Sequence, residues 1–387
     1  MAKVFKFGGA SIKDVEGIKN VSNILLSHKK DDLFIVFSAI GKVTNMLEDV
    51  VNNYVVSSSE VQNSLNKVKE FHYSILENLF EKEEQIYNDV NNLFVEIEWV
   101  LEDKPNENYD YDYDQIVSIG ELISTKIMSS YLNKIGFENN WIDARDMIKT
   151  DNTHRFAKVD WNITEKSILS ITDEIPKITQ GFIGCTSENF TTTLGREGSD
   201  FSAAIIAYSI NATEVVIWKD VDGLLNSDPR YFENTKLLKE IPFTEAVELA
   251  YFGAKVIHPK TIYPLKKKGI PLLVKSFISP NNKGTIIKNN VEITPLIPSY
   301  IVKENQILIS ISDTNLSFIV ETHLGEIFNV LSELNISVNL MQNSAVSFSI
   351  CIDHNKKRVS KLIEILKKSF NVYFNEDLTL FTIRHYD

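Results

Sequence analysis

A glycine-rich loop that runs into an apolar helix near the middle of the chain most constrains the fold. Residues 178–184 are apolar, β-branched and bounded by glycine, a pattern typical of a buried strand. Residues 201–208 are rich in alanine and contain no Gly or Pro, so they predict a helix. Ser199 and Asp200 precede that helix, and we expect them to cap it. The sequence therefore predicts a strand, a loop and a helix start in succession.

This arrangement is suited to binding an anion. The free backbone N–H groups and the dipole of a helix N-terminus both favour negative charge. Arg196, in the loop before the helix, adds a forked cation that matches a carboxylate or a phosphate. An ordinary capped surface helix has the same pattern, so the interpretation depends on other parts of the chain.

The N-terminal residues alternate between strands and helices. Residues 3–7 read as a strand that carries Lys6 and ends at Gly8 and Gly9, and residues 32–38 read as a second buried strand. Helical stretches follow both. This alternation predicts an α/β fold with a mostly parallel sheet sandwiched by helices.

Three further segments are interpreted from composition and spacing. Residues 60–103 have apolar positions at helical spacing and predict two packed helices. The acidic residues 106–114 predict a solvated loop. Residues 116–135 predict a helix with Glu121 in its first part.

The last ninety or so residues predict a separate small domain. The character changes at a linker near Pro295 and Pro298, and the order that follows is strand, helix, strand, strand, helix, strand. That is a ferredoxin-like α+β order. We therefore expect one domain over residues 1–295 and a second, small domain over residues 300–387, which could be a regulatory or dimerisation module or simply a spacer.

Bulk properties exclude several classes of partner. A net charge of −12 and a pI near 5.2 argue against nucleic acid or an anionic membrane as the main partner. No apolar run approaches the length of a membrane span, and the first residues lack the pattern of a signal peptide. The two cysteines have no metal or redox spacing. We expect a soluble, cytoplasmic protein with reduced thiols.

An ordered set of motifs resembles aspartate kinase, of the amino-acid kinase superfamily. The resemblance runs from the start to about residue 286 and extends more weakly into the tail, which resembles an ACT domain. The matching segments are Lys6-Phe-Gly-Gly-Ala-Ser11, Ser38, Val43-Thr-Asn45, Gly120-Glu-Leu-Ile-Ser124, Asp143-Ala-Arg145, Gln180-Gly-Phe182, Thr191-Thr-Thr-Leu-Gly-Arg-Glu-Gly-Ser-Asp200, Trp218-Lys-Asp-Val-Asp-Gly223, Asp228-Pro-Arg230 and Phe252-Gly-Ala-Lys-Val-Ile-His-Pro259.

The resemblance implies phosphoryl transfer from ATP, with Mg²⁺, to the side-chain carboxylate of L-aspartate, the first step towards lysine, threonine and methionine. An aspartate side chain is already ionised at neutral pH, so this reaction needs no general base. It needs cations and hydrogen-bond donors that bring two anions together and offset the charge of the transferred group. We expect Mg²⁺ to arrive with the phosphates rather than in a protein cage, and Asp222 and Asp228 to be turn residues.

The resemblance also implies roles for individual residues. Lys6 and Asp200 would be catalytic, Arg196 would hold the aspartate α-carboxylate, and Glu121 would face its ammonium group. Asp200 could instead be a plain helix cap. Glu121 could instead be a first-turn acid that favours its own helix dipole. The remaining implied substrate contacts are Ser38, Thr44, Phe182 and Ser199, and the implied ATP contacts are Lys6, Gly8, Gly9, Lys219, Asp220, Leu225, Arg230, Lys255 and Val256.

The chain departs from the family pattern in three places. Ala10 stands where many relatives have threonine, and Glu197 replaces a common glycine beside Arg196. The tail holds one ACT-like module where such family members usually carry two. Its effector-like segment has Asn339 and Ala345 where lysine-sensitive relatives place acids. We therefore expect weak or absent inhibition by lysine.

Other functions remain open at this point. A kinase of the same fold could act on glutamate or N-acetylglutamate. A nicotinamide-dependent oxidoreductase is suggested only by Gly181 and Gly184 after a strand, without the full dinucleotide fingerprint. A catalytically weak amino-acid sensor is a further alternative. Because ACT domains commonly pair, we expect a homodimer.

Overall fold

The computed structural model describes residues 2–171, 174–253, 257–291, 297–314 and 317–386. These residues form two compact units. The first contains the described residues of Met1–Leu224, Leu237–Val247 and Val256–Ile293, and the second those of Leu225–Lys236, Glu248–Lys255 and Thr294–Asp387. The domain boundary between residues 295 and 300 stays a prediction.

The chain from the N-terminus to residue 291 alternates strands and helices. A short 3-10 helix, Gly9–Ile12, follows the first strand. The other elements are β1 (Lys3–Phe7), α1 (Val15–Ser27), β2 (Leu33–Phe37), α2 (Val43–Val55), α3 (Val61–Leu79), α4 (Ile86–Glu102), α5 (Tyr109–Lys134), β3 (Asn140–Ile142), α6 (Ala144–Met147), α7 (Trp161–Leu169), β4 (Lys177–Gln180), β5 (Ile183–Cys185), β6 (Thr191–Thr193), α8 (Gly198–Ile210), β7 (Val215–Lys219), β8 (Glu240–Pro242), α9 (Phe243–Phe252), α10 (Pro259–Lys268), β9 (Leu272–Ser276) and β10 (Thr285–Lys288).

Eight of these strands form one sheet in the order β3-β4-β2-β1-β7-β9-β10-β8. Neighbouring strands are parallel except β9 and β10. The predicted mostly parallel α/β fold is therefore confirmed. The carboxyl ends of β1, β2 and β7 lie along one edge, which is where open α/β sheets bind ligands.

Aromatic rings fill the centre of this sheet. Phe7 stacks against Phe37 with ring centroids 5.4 Å apart and against Trp218 at 5.7 Å. All three side chains are essentially inaccessible to solvent. Burying three large aromatic side chains across β1, β2 and β7 stabilises the strands that carry the candidate site residues.

The prediction of a solvated loop over residues 106–114 holds for residues 106–108, which are exposed, but is wrong for residues 109–114. Helix α5 begins at Tyr109, after Asn108, whose side chain accepts a hydrogen bond from the backbone N–H of Asp110. Asp112 and Asp114 are buried, at 3% and 0% exposure. Acids near a helix N-terminus are favoured by its dipole, and hydrogen-bond donors from other segments compensate the burial.

Because α5 begins at Tyr109, Glu121 lies further along the helix than the sequence predicted. It lies in the fourth turn of α5 rather than the first, so the alternative role as a first-turn acid does not apply.

The predicted caps of the central helix are also displaced. Helix α8 begins at Gly198, and its N-cap residue is Glu197, with a left-handed φ of 54°. Ser199 and Asp200 therefore lie inside the first turn. The interpretation of Asp200 as a plain N-cap is wrong.

The C-terminal part has the predicted order of elements. Its four strands form an antiparallel sheet in the order β12-β13-β11-β14, and two helices pack on a core that includes Ile309, Ile327, Ile350 and Leu362. The elements are β11 (Ser299–Asp313), α11 (Glu321–Glu333), β12 (Val338–Asn343), β13 (Ser347–Asp353), α12 (Lys356–Leu366) and β14 (Phe370–Arg384). Over the described residues, every helix is too short or too polar to cross a membrane.

Candidate active site

A cavity of about 580 Å³ opens at the carboxyl ends of the central strands. Among the described residues it contains nine to which the sequence analysis gives a role and seven to which it gives none. The residues with a role are Lys6, Ser38, Thr44, Glu121, Phe182, Arg196, Ser199, Asp200 and Lys219, and the others are Asn45, Tyr113, Arg155, Phe156, Gly195, Glu197 and Gly198.

Asp200 joins two lysines that come from neighbouring parallel strands. Its Oδ1 lies 2.6 Å from Nζ of Lys6 on β1, and its Oδ2 lies 3.4 Å from Nζ of Lys219 at the end of β7. Asp200 is 3% exposed and Lys6 is 8% exposed. Burial alone would raise the pKa of Asp200, but the charges of Lys6 and Lys219 outweigh it and hold that pKa below its usual value.

The electrostatic result is a net positive site. Two cations share one carboxylate, so one positive charge is left at the head of α8 to attract an anion. The N-terminus of α8 adds its own partial positive charge.

Glu121 adds to the same cavity a carboxyl group, which attracts a cation. It is 2% exposed, and its Oε2 has no hydrogen-bond partner among the residues that the structure describes. Burial raises its pKa to about 8, although Lys6 and the backbone of Ala39 oppose the shift. A buried carboxyl group that faces a cavity without a partner is suited to a ligand cation such as an ammonium group.

A tight turn between β4 and β5 forms one wall. Phe182 has a left-handed φ of 73°, which is rare for a bulky residue. Its N–H donates to Oγ of Ser202 at 2.9 Å, and its carbonyl accepts from the N–H of Leu194 at 2.8 Å. Strain of this kind persists where the surrounding structure fixes it, often beside a ligand.

Glycines allow this turn to pack against helix α8. A Cβ on Gly181 would lie 2.5 Å from Cβ of Ser199, and a Cβ on Gly198 would lie 2.7 Å from the ring of Phe182. Side chains at these two positions would push the turn away from the helix start. The glycines therefore bring Phe182 and Ser199 to the same cavity.

Arg196 and Glu197 lie side by side at the cavity mouth. Arg196 is exposed, so its guanidinium is accessible to an incoming anion. Glu197 also lines the cavity, and its Oε2 is buried without a hydrogen bond to any described residue. Its left-handed backbone explains in physical terms why glycine is easily accommodated at this position.

Ser38 and Thr44 reach the cavity from the loop after β2. The carbonyl of Ser38 accepts from Oγ of Ser124 at 2.7 Å, and its N–H donates to the carbonyl of Phe7 at 3.1 Å. Thr44 lies in the first turn of α2. The loop is thus fixed to both β1 and α5.

The predicted ATP contacts are distributed more widely. A Cβ on Gly8 would lie 3.4 Å from Nζ of Lys6, whereas a Cβ on Gly9 would lie 2.6 Å from the carbonyl of Ala39. Gly9 is therefore needed for packing between two loops. Asp220 is exposed just after β7.

Four further predicted ATP contacts stay predictions. Leu225 and Arg230 belong to the second unit, where Arg230 pairs with Asp228 at 2.6 Å between Nη2 and Oδ2. Asp228 Oδ1 also accepts from the N–H of Arg230, as expected for a turn residue. Lys255 and Val256 lie outside the described residues.

Sequence reasoning did not identify three of the described side chains of the cavity: Tyr113, Arg155 and Phe156. Tyr113 fell in the segment predicted to be a loop. Arg155 and Phe156 lie in an irregular connection before α7, where no periodic pattern marks an inward-facing residue. The only available signal was the isolated Arg-Phe pair in a polar stretch.

Comparison with known proteins agrees with this geometry. Residues 1–276 match the Amino acid kinase family. The chain is 33% identical to lysine-sensitive aspartokinase 3 of Escherichia coli over 356 residues, which cover 90% of this chain and 78% of that protein. The chain belongs to the aspartokinases.

Further comparisons extend the family relationship. The crystal structure of E. coli aspartokinase III in complex with aspartate and ADP superimposes with a TM-score of 0.86 at 31% identity, covering 99% of this chain and 87% of that one. Aspartokinase 1, chloroplastic, of Arabidopsis thaliana is 33% identical over 93% of this chain. This chain spans 65% of the Arabidopsis protein and 42% of a bifunctional aspartokinase/homoserine dehydrogenase from the same plant.

Proposed function

We propose that this chain transfers the γ-phosphoryl group of ATP to the side-chain carboxylate of L-aspartate, giving 4-phospho-L-aspartate. The observation that carries the proposal is the ion-paired group Lys6, Asp200 and Lys219 beside the unpartnered carboxyl group of Glu121. The part of the cavity with the lysines suits phosphate oxygens, and the part with Glu121 suits an ammonium group. A nucleoside triphosphate fits the first part, and an amino acid that has a second carboxylate fits the other.

The reaction needs no proton transfer from the protein. An oxygen of the aspartate side chain attacks the γ-phosphorus, the bond between that phosphorus and the bridging oxygen breaks, and the electron pair stays on ADP. Lys6 and Lys219 offset the charge on the phosphoryl oxygens, while Asp200 keeps both ammonium groups in place. Arg196 binds the aspartate α-carboxylate and Glu121 binds its ammonium group.

Magnesium accompanies the nucleotide in this proposal. The described residues contain no cluster of three or more His, Cys, Asp or Glu side chains that could hold a metal ion. The positive lysines suit phosphate oxygens directly, and Mg²⁺ commonly binds through phosphates and water.

The test is an ATP-dependent assay with L-aspartate and hydroxylamine, which traps an acyl phosphate as a hydroxamate. L-glutamate and N-acetyl-L-glutamate are offered in parallel, and Lys6→Ala is the inactive control. We expect product from aspartate and its loss in the variant. Product from glutamate instead would identify a related kinase, and nucleotide binding without any product would favour an amino-acid sensor.

We also propose that the protein is a homodimer. Leu340, Met341, Phe374 and Phe381 are exposed apolar residues of β12 and β14, and they support a homodimer through the C-terminal unit. Sedimentation of the wild type beside Phe381→Asp tests it, with a monomeric wild type as the contrary result. We propose a cytoplasmic location, as predicted from the sequence.

A further inference from the structure

Helix α5 carries a second buried carboxylate, Asp114, seven residues before Glu121. Seven residues are about two helical turns, so the two side chains lie on the same face about 10 Å apart. Asp114 is completely buried, but it does not line the cavity. The mechanism proposed above does not use it.

Asp114 accepts four hydrogen bonds from two different segments. Its Oδ2 accepts from the backbone N–H of Arg155 at 2.9 Å and bonds Nδ1 of His154 at 3.0 Å. From β6, the N–H of Thr193 donates to Oδ2 at 3.0 Å and its hydroxyl donates to Oδ1 at 2.6 Å. An ionised carboxylate only accepts hydrogen bonds, so Nδ1 of His154 is the donor when Asp114 is ionised.

Both segments lead directly into the cavity. Thr193 is two residues before Gly195 and three before Arg196, and the carbonyl of Thr193 also accepts from the N–H of Ala157 at 3.0 Å. On the other segment, Phe156 packs so closely that a Cβ on Gly195 would lie 2.6 Å from its ring. The two segments are thus packed on each other as well as bound to Asp114.

Arg155 is held in a defined position by this arrangement. Its backbone has a left-handed φ of 65°, and its N–H is one of the donors to Asp114. Its guanidinium lies 2.9 Å from Glu48 Oε1 and 4.3 Å from the centroid of the Tyr113 ring. Arg155 lines the cavity with Arg196, so its position affects the cationic surface that an anion meets.

We propose that Asp114 is a positioning residue for the amino-acid half of the cavity, fixing Arg155 and the strand that leads to Arg196 in one arrangement. This inference rests on the proposed function. It assigns Asp114 no contact with substrate. Its effect is on where the two arginines lie relative to Glu121 of the same helix, because Arg155 bonds Asp114 directly and Arg196 follows Thr193, which also bonds it.

Burial raises the pKa of Asp114, although the donors from Thr193, Arg155 and His154 favour its ionised form. An Asn side chain could keep its oxygen toward the three partners of Oδ2 and turn its NH₂ group to the hydroxyl of Thr193, but it would lose the negative charge that strengthens these bonds. Asp114→Asn therefore weakens the hold on both segments with little change of volume. Thr193→Val is a milder variant, because it removes only the hydroxyl bond.

Asp112 provides a matched control. It is a buried carboxylate on the same helix, at 3% exposure, and burial raises its pKa too. It accepts instead from the N–H of Asn106 at 2.8 Å. Asp112→Asn therefore tests whether any loss of a buried acid from α5 has the same effect.

The experiment combines steady-state kinetics with hydrogen exchange on the full chain. In Asp114→Asn we expect KM for aspartate to rise by about tenfold or more and KM for ATP to change by less than about twofold, since small displacements of positioning groups have large effects. Thr193→Val should change KM for aspartate in the same direction by less, and Asp112→Asn should leave it unchanged. Amide exchange should increase together at residues 151–156 and 191–195 in Asp114→Asn.

Several results would overturn the inference: an unchanged KM for aspartate in both variants of the network, an equal rise in the two KM values, or exchange that increases in neither segment. The same rise in Asp112→Asn would also overturn it. If Asp114→Asn does not fold, Thr193→Val decides. A wild type that makes no hydroxamate would refute the proposed function alone, because the exchange measurement needs no turnover and still decides whether Asp114 holds both segments.

Discussion

Lys6 Nζ lies 2.6 Å from Asp200 Oδ1, and both side chains are almost completely buried. The pair joins the end of β1 to the first turn of α8. A buried carboxylate between two lysines is costly to remove, because the lysines then repel each other without compensation.

Asp200→Asn should therefore abolish most of the activity. We expect kcat to fall by about 10² to 10³, the usual effect of losing a charged group that organises a transition state. The hydroxamate assay measures it. Asp31→Asn is the matched control, since Asp31 pairs with Lys3 on the same strand at 3.2 Å but at the surface. Equal losses in the two variants would contradict a specific role for Asp200.

Binding of aspartate should release a proton from Glu121. Its pKa of about 8 keeps the carboxyl group mostly protonated at pH 7, and an arriving ammonium group favours the ionised form. Calorimetry at pH 7 in two buffers of different ionisation enthalpy should show the release of up to about one proton. The release should disappear in Glu121→Gln and decline in the wild type by pH 9.

Glu96→Gln is the control for this measurement, because burial also raises the pKa of Glu96, which lies near Arg145 at 3.8 Å. Its substitution should leave the proton release unchanged. No release in the wild type would show that Glu121 does not meet the ammonium group.

Glu197→Gly should improve substrate binding. The change removes a negative charge from an anion-binding cavity and relieves a left-handed backbone that costs other residues about 1–2 kcal/mol. We expect KM for ATP or aspartate to fall by about fivefold, equivalent to about 1 kcal/mol between charges 4 Å apart in water. Glu197→Gln removes the charge but keeps the left-handed backbone. It should therefore lower KM as Glu197→Gly does, without the gain in stability. A rise in both KM values would contradict the prediction.

Lysine should inhibit this chain weakly. Asn339 is already fully engaged: its amide donates to Gln306 at 2.6 Å and to Asp353 at 3.0 Å, and it accepts from Lys303 at 2.8 Å. Lys303 also pairs with Asp353 at 2.9 Å, so the nearest acid already holds a cation. Because the neutral amide of Asn339 offers no negative charge to pair with a lysine ammonium group, we expect millimolar lysine to change the rate by less than about twofold. Arginine controls for ionic effects, and strong inhibition by lysine alone would refute the prediction.

His72 should make the first unit sensitive to acid. It is fully buried between α3 and α4, and its Nε2 has no hydrogen-bond partner in the described part of the chain. Burial lowers its pKa to about 4. As the pH falls from 6.5 to about 4, the unfolded chain binds a proton that the folded chain does not, so stability decreases by up to about 3 kcal/mol.

Thermal denaturation from pH 7 to pH 4 tests this prediction. His72→Leu should lose this part of the pH dependence. His28→Leu is a matched control, since Nδ1 of His28 also bonds the carbonyl four residues earlier but its ring is only half-buried. Equal pH profiles for wild type and His72→Leu would refute the prediction.

The sequence was most informative where local pattern and chemistry coincide. Strand β1 is both a short apolar run and the carrier of Lys6, so its position and its residue type could be inferred together. The apolar run of β2 and the order of elements in the C-terminal unit could also be predicted from local pattern.

Inference failed where tertiary contacts override local composition. The segment around Asp112 and Asp114 is acidic enough to suggest exposure to solvent, yet it is the buried start of a helix, where Asp114 accepts from two distant segments and Asp112 from the loop before the helix. Arg155 lies in the cavity because of a left-handed backbone and contacts with α5, neither of which has a local sequence signal. Positions of this kind depend on residues far apart in the chain.

The place of β1 in the sheet has a consequence for how the protein is made. One edge of β1 pairs with β2, which follows within about thirty residues, but the other pairs with β7, from Val215 onward. During synthesis that second edge stays open until more than half of the chain has left the ribosome, and an open strand edge is a target for wrong pairing. Lys6 likewise has no Asp200 to pair with until residue 200 has been synthesised. The candidate site therefore assembles late, and a ribosome-bound chain stopped before residue 200 should be unable to form it.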